Sequence, residues 1–132
     1  MKAIVLVIAV LTVASCVSNK IVSDIQTLRF GSGGGFTGEI KKYELSSEGK
    51  LSNIIDQDTI FLKNISKSSV QKIIVFAETI KSLELNEPKN MYRFIEIDFN
   101  QSATNRLVWG LGYTDKPIQV DSLYNKLTTL LK

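Results

Sequence analysis

The sequence predicts an α+β fold, an antiparallel sheet of about five strands with two helices on one face, in the order ββ(β)αββα. Three observations carry that reading. Apolar residues recur at helical spacing in only two places, Val70 to Ile80 and Val120 to Leu131. Residues 91–99 alternate over a full strand length. Each helical segment also follows a pair of extended runs joined by a polar turn, so both helices can be placed on one sheet face in a two-layer sandwich.

Taken in order, Asp24 to Phe30 carries Ile25, Leu28 and Phe30 and is expected to form an irregular first strand. Five of the eight glycines then crowd between Gly31 and Gly38, flanked by Phe30 and Phe36, which predicts a loop or a bulged strand entrance. Glu39–Leu45 and Lys50–Asp56 read as a hairpin about Ser46-Ser47-Glu48-Gly49, the glycine standing where a positive φ is needed. Thr59-Ile60-Phe61-Leu62 is β-branched and aromatic and suits a short third strand.

Ser68-Ser69-Val70-Gln71 has the form of a capping box, and Val70, Ile73, Ile74, Ala77 and Ile80 share one helical face, predicting a helix over 68–82. Pro88 and Asn90 mark a loop. In the following strand Met91, Arg93, Ile95, Ile97 and Phe99 share one face, and Tyr92, Phe94, Glu96 and Asp98 the other. A polar turn over 100–105 leads to Arg106–Trp109, and Gly110 and Gly112 loosen the chain. Beyond Pro117, residues Val120, Leu123, Tyr124, Leu127, Leu130 and Leu131 make the apolar face of a last helix.

The first residues have a different logic. Lys2 supplies a positive start, Ala3 to Val13 an uncharged stretch, and Ala14-Ser15 small residues just before Cys16. Eleven apolar residues are too few for a span of roughly twenty. The run therefore reads as a cleaved lipoprotein signal (1–15), with an ordinary secretory signal and a buried cytoplasmic strand as the alternatives. Cys16 would become the lipidated first residue of a tether over 16–23, with a single α+β domain over 24–132. Two or three acyl chains hold a protein on a membrane stably where one is marginal. Cys16 is also the only cysteine, so no internal disulfide can form and packing must supply stability.

Cleavage would leave 117 of the 132 residues, enough for one core. Removing Lys2 lowers the formal charge of +3 by one, and a near-balanced surface argues against nucleic acid as partner. Histidine is absent, which excludes His-based hydrolase triads and the commonest metal ligand. The glycine segment lacks the Gly-Lys-Ser/Thr of a phosphate loop and does not complete a dinucleotide fingerprint. Its remaining readings are a close backbone crossing that excludes side chains, or a mobile loop in which Phe30, Gly33, Gly34, Gly35 and Phe36 grip a partner.

Glu96 and Asp98 share a strand face and could form a paired-carboxylate or oxygen-ligand site, against the ordinary reading of a solvent-facing acidic strip. Trp109 and Tyr113 could present aromatics on a flexible edge, or Trp109 could pack in phase with Leu107 in the core. No convergent catalytic constellation emerges, so the expectation is a protein without enzymatic activity, cofactor or metal.

The arrangement of Cys16 after Val13-Ala14-Ser15, the segment Phe30-Gly31-Ser32-Gly33-Gly34-Gly35-Phe36-Thr37-Gly38, a Tyr-x-Leu strand and Val108-Trp109-Gly110 before a terminal helix resembles small lipoproteins of Bacteroidota-type bacteria. The likeness spans most of the chain and implies an address in the envelope, with no activity attached. Asp58-Thr59-Ile60 and Asp121-Ser122-Leu123 resemble the short O-glycosylation acceptor of such bacteria; the second falls in a predicted helix, leaving Thr59 as candidate. Residues Val17-Ser18-Asn19-Lys20 carry no acid beside the lipid, pointing to an outer-membrane anchor facing the periplasm.

The expected function is thus a lipid-anchored envelope binding or accessory protein, with an envelope protein as partner. The alternatives are an inhibitor or immunity lipoprotein against a toxin, protease or muramidase, and a small-ligand carrier with a closed apolar cavity.

Overall fold

The computed structural model describes residues 22–100 and 102–132. The signal segment, Cys16 and most of the tether lie outside the described residues. β1 (Ile25–Gly34) begins over the expected Ile25, Leu28 and Phe30, with a register shift between Ile25 and Thr27, but continues through the glycines to a length of 10 residues. β2 (Lys41–Ser46), β3 (Lys50–Ile55) and β4 (Asp58–Asn64) follow as a meander. α1 (Lys67–Glu78), β5 (Asn86–Glu87), β6 (Met91–Phe99), β7 (Ala103–Gly110) and α2 (Ile118–Thr129) complete the chain.

The architecture is α+β with a mostly antiparallel sheet, but the sheet has seven strands, in the spatial order β4-β3-β2-β1-β6-β7-β5, and the chain order is ββββαβββα. The expected ββ(β)αββα with about five strands is corrected for two reasons. The glycine segment is the end of a central strand, paired with both β2 and β6. The two-residue β5, parallel to β7, is too short to leave an alternation in the sequence.

Cross-strand partners share a face, so the register assigns the two sides of the sheet. Leu28, Phe30, Leu45, Leu51, Ile95, Ile97, Leu107 and Trp109 form one buried cluster with Val70, Ile73, Ile74 and Ala77 of α1 and Val120, Leu123, Tyr124 and Leu127 of α2. Both helices therefore lie on this face. The other carries Arg29, Glu44, Glu96, Arg106, Phe94 and Val108. Phe94 is buried even there, with Arg106 above its ring and Tyr92 beside it.

α1 starts one residue before the predicted helix and ends at Glu78. The cap is Ser66, whose Oγ accepts from the Ser69 amide at 3.3 Å, so the Ser68–Gln71 box is not what starts it. Past the helix, Asn105 Nδ2 donates to the carbonyls of Lys81 and Leu83, fastening the connection to β7. No helix among the described residues is long and apolar enough to cross a membrane.

Candidate functional site at the glycine end of the central strand

The glycines are read most directly from what surrounds them. A Cβ on Gly31 would stand 1.8 Å from the Lys41 carbonyl oxygen, and one on Gly34 would stand 1.8 Å from that of Asn90. On Gly33 it would meet the Tyr92 hydroxyl at 2.6 Å. Neighbouring chain and ring thus occupy the volumes of the missing side chains, the close crossing that the sequence left as one of two readings. At Gly34 and Gly35, φ turns to +87° and +80° and the chain leaves the sheet. The Gly35 amide donates to Asn90 O at 2.8 Å, holding this turn to the start of β6.

Beyond the turn lies an open cleft of about 480 Å³, lined among others by Ser32, Gly33, Gly34, Gly35, Phe36, Lys41, Glu39, Met91, Arg93, Leu111 and Tyr124. Phe36 is wholly exposed, and Met91 and Leu111 are about half exposed, giving the cleft an apolar rim. At its base Tyr124 donates its hydroxyl to Gly31 O at 3.2 Å. Burial raises the Tyr124 phenol above its ordinary value, with Arg93 opposing the shift. The Arg93 guanidinium lies 5.2 Å above the Tyr124 ring.

Four of the candidate residues, Gly33, Gly34, Gly35 and Phe36, meet at this cleft. Phe30 and Trp109 are corrected. Each has at most 1% of its surface exposed, Phe30 stacking on Tyr43 at 5.7 Å and Trp109 meeting Tyr124 edge-on at 5.5 Å, so neither has a face to offer a partner. Trp109 is the core residue that its phase with Leu107 suggested. Tyr113 stands apart in the segment after β7, half-buried, its phenol pushed up by burial and by Glu87 and Asp115. Thr59 is exposed on edge strand β4, whereas Ser122 lies within α2.

Glu96 and Asp98 do share a face, and Arg29 stands between them and Glu44. Arg29 Nη1 reaches Asp98 Oδ2 at 2.6 Å and Glu96 Oε2 at 3.8 Å, while its Nε donates to Glu44 at 2.9 Å. Lys42 and Arg106 each approach Glu96 at 3.3 Å, and Thr104 donates to Asp98. Burial works against the Arg29 charge, but Glu44, Asp98 and Glu96 outweigh it and its pKa rises. A second cleft of about 750 Å³ runs past this network, lined by Ile40, Lys42, Ile54, Phe94, Glu96 and Arg106 among others. The carboxylates of Glu44, Glu96 and Asp98 are bound to cations in a web that ties β2, β1, β6 and β7 together, which suits a structural role better than proton transfer.

Lys41, Ser32 and Arg93 are the site residues that the sequence reading missed. One signal for Arg93 was present: it is the charged residue in the otherwise apolar phase Met91, Ile95, Ile97 and Phe99. No family model and no curated protein matches this chain.

Proposed function

We propose that this chain is a lipid-anchored binding or accessory protein of the cell envelope, without catalytic activity, held on the membrane through Cys16 and facing the periplasm from the outer membrane. Its partner is an envelope protein, engaged at the glycine-end cleft. The observation that carries the reading is the meeting of a glycine turn, hydrogen-bonded to Asn90 O, with the exposed apolar side chains of Phe36, Met91 and Leu111. Exposed aromatic and methionine side chains beside a preorganised backbone are the composition of an interface centre. The absence of catalysis is argued from Glu96 and Asp98, whose oxygens are engaged by Arg29, Lys42, Arg106 and Thr104.

The inhibitor or immunity reading is kept as second because Phe36 projects wholly exposed just past the turn, a shape able to enter another protein's cleft. Both readings are tested by placing a photo-crosslinking residue at Phe36 in intact cells, with Ile118, 75% exposed on α2, as control. One protein of defined mass captured from position 36 and not from 118 is expected. Equal capture from both, or none from 36, overturns the assignment of the cleft.

A further inference from the structure

The register sets three polar side chains in one row across the cleft. Ser32 pairs with Lys41 on one side and with Arg93 on the other, so Lys41, Ser32 and Arg93 occupy the same face of β2, β1 and β6. Cross-strand neighbours place their Cβ atoms about 5 Å apart, so the Cβ atoms of Lys41 and Arg93 stand roughly 10 Å apart with that of Ser32 between them. Among the described residues neither Lys41 nor Arg93 has a carboxylate within 4.0 Å, although most other charged side chains in the strands either side of β1 are paired. The residues outside the described ones contain no Asp or Glu that could serve. Glu39 also lines the cleft, so the local balance of these three groups is one positive charge.

Arg93 is held in place as well as charged. Its guanidinium lies over the ring of Tyr124, whose own hydroxyl is tied to Gly31 O, and an arginine in such a contact keeps its planar fork of N–H donors available to an anion. Beside this row stand Phe36, Met91 and Leu111. The cleft volume of about 480 Å³ falls in the range of small-ligand sites.

We infer that the cleft binds an anionic group joined to an apolar one, a carboxylate or phosphate seated between Lys41 and Arg93 with its apolar part against Phe36, Met91 and Leu111. Ser32 Oγ supplies a hydrogen bond to the anion. The inference rests on the binding role proposed for this cleft and names the chemistry of what enters it.

The test is an amide chemical-shift titration of the full-length protein with 3-phenylpropionate, 3-phenylpropyl phosphate and the neutral 3-phenylpropanamide. Saturable shifts at Gly33–Gly35 and at the start of β6 are expected for the anions, with the amide at least tenfold weaker. Tighter binding of the phosphate ester assigns the anion to a phosphoryl group, and tighter binding of the carboxylate assigns it to a carboxylate such as the chain terminus of the protein partner. Lys41→Gln and Arg93→Gln should each weaken the anions about tenfold, and Arg93→Lys less, since it keeps the charge and loses the fork. Lys41 is exposed, so its variant stays informative even if loss of Arg93 disturbs α2. Equal binding of amide and anions, no saturable shift with either anion, or unchanged affinity in Lys41→Gln overturns the inference. A partner still captured from position 36 under any of those outcomes leaves the binding role standing without the anion.

Discussion

Replacing the turn glycines one at a time by alanine separates two costs that the sequence cannot tell apart. At Gly35 the left-handed backbone, φ +80°, is the main obstacle, because an added Cβ meets nothing nearer than Met91 Cγ at 3.7 Å. That conformation costs an L-residue about 1–2 kcal/mol. Gly34 has the same backbone handedness, but its Cβ would also stand 1.8 Å from Asn90 O. The carbonyl must move, adding about 1–3 kcal/mol of overpacking. Its bond from the Gly35 amide weakens too, worth about 1 kcal/mol.

Gly34→Ala should therefore lose about 3–6 kcal/mol and Gly35→Ala about 1–2 kcal/mol. Gly35→Asn should recover part of the smaller loss, since asparagine tolerates the left-handed region. Urea unfolding followed by Trp109 emission measures this. With a slope of about 2 kcal/mol per molar, the midpoint should fall by roughly 2 M for Gly34 and by less than about 1 M for Gly35. Equal losses at the two positions would refute the steric part of the reasoning. No loss at Gly35 would refute the conformational part.

Other expectations concern the rest of the molecule. Trp109→Ala should destabilise by about 3–5 kcal/mol as a core truncation, whereas Phe36→Ala should stay within about 0.5 kcal/mol, both read from the urea midpoint followed by far-ultraviolet circular dichroism, since the first variant removes the single tryptophan. Arg29→Met leaves Glu44 and Asp98 without their cation and should cost about 2 kcal/mol, between the values for buried and surface pairs; a midpoint within about 0.5 kcal/mol of wild type would show the web to be decorative. Asp24 is held below the ordinary carboxylate range by the hydrogen bond from Lys81, against some desolvation and with the Lys81 charge assisting. With a depressed folded pKa, the unfolded chain binds the proton first, so this contribution is complete above about pH 4 and fades as the pH falls through the lower folded value. The stability gap between wild type and Asp24→Asn should accordingly close on acidification, and a gap that widens there would contradict the sign. Cys16→Ser should shift the protein from the membrane to the soluble fraction of cells, and unaltered partition would remove the lipid anchor from the proposal.

Several strands and both helices were legible because burial imposes a period. Ile95 and Ile97, or Leu123 and Leu127, recur as one face of a strand or helix must when it meets a core. The glycine segment broke that logic. With Ser32 as its one side chain beyond Cα, Gly31–Gly34 showed no alternation, and a residue type common in loops concealed that the strand expected over Asp24–Phe30 runs on to Gly34 between two neighbours. β5 is silent for the opposite reason, two residues being too few to show any period.

The candidate site was legible to the same limited degree. The glycines and Phe36 stood out by composition, but Phe30 and Trp109 looked equally available because an aromatic residue in a sequence does not reveal which side of a sheet it takes. Lys41, Ser32 and Arg93 are 61 positions apart from first to last, 32 to 93, and only pairing across β2, β1 and β6 makes them one row.

What the sequence determined by itself was local: the two helical faces, the alternation of β6, the absence of histidine and of a second cysteine, and the expectation of a cleaved, lipidated start at Cys16. Tertiary structure decided which strands became neighbours, and with that whether a charge is neutralised. Glu96 and Asp98 acquired Arg29, while Lys41 and Arg93 acquired no acid among the described residues. Coulomb attraction depends on distance in space, and strand register, set by long-range pairing, fixes that distance where sequence separation does not.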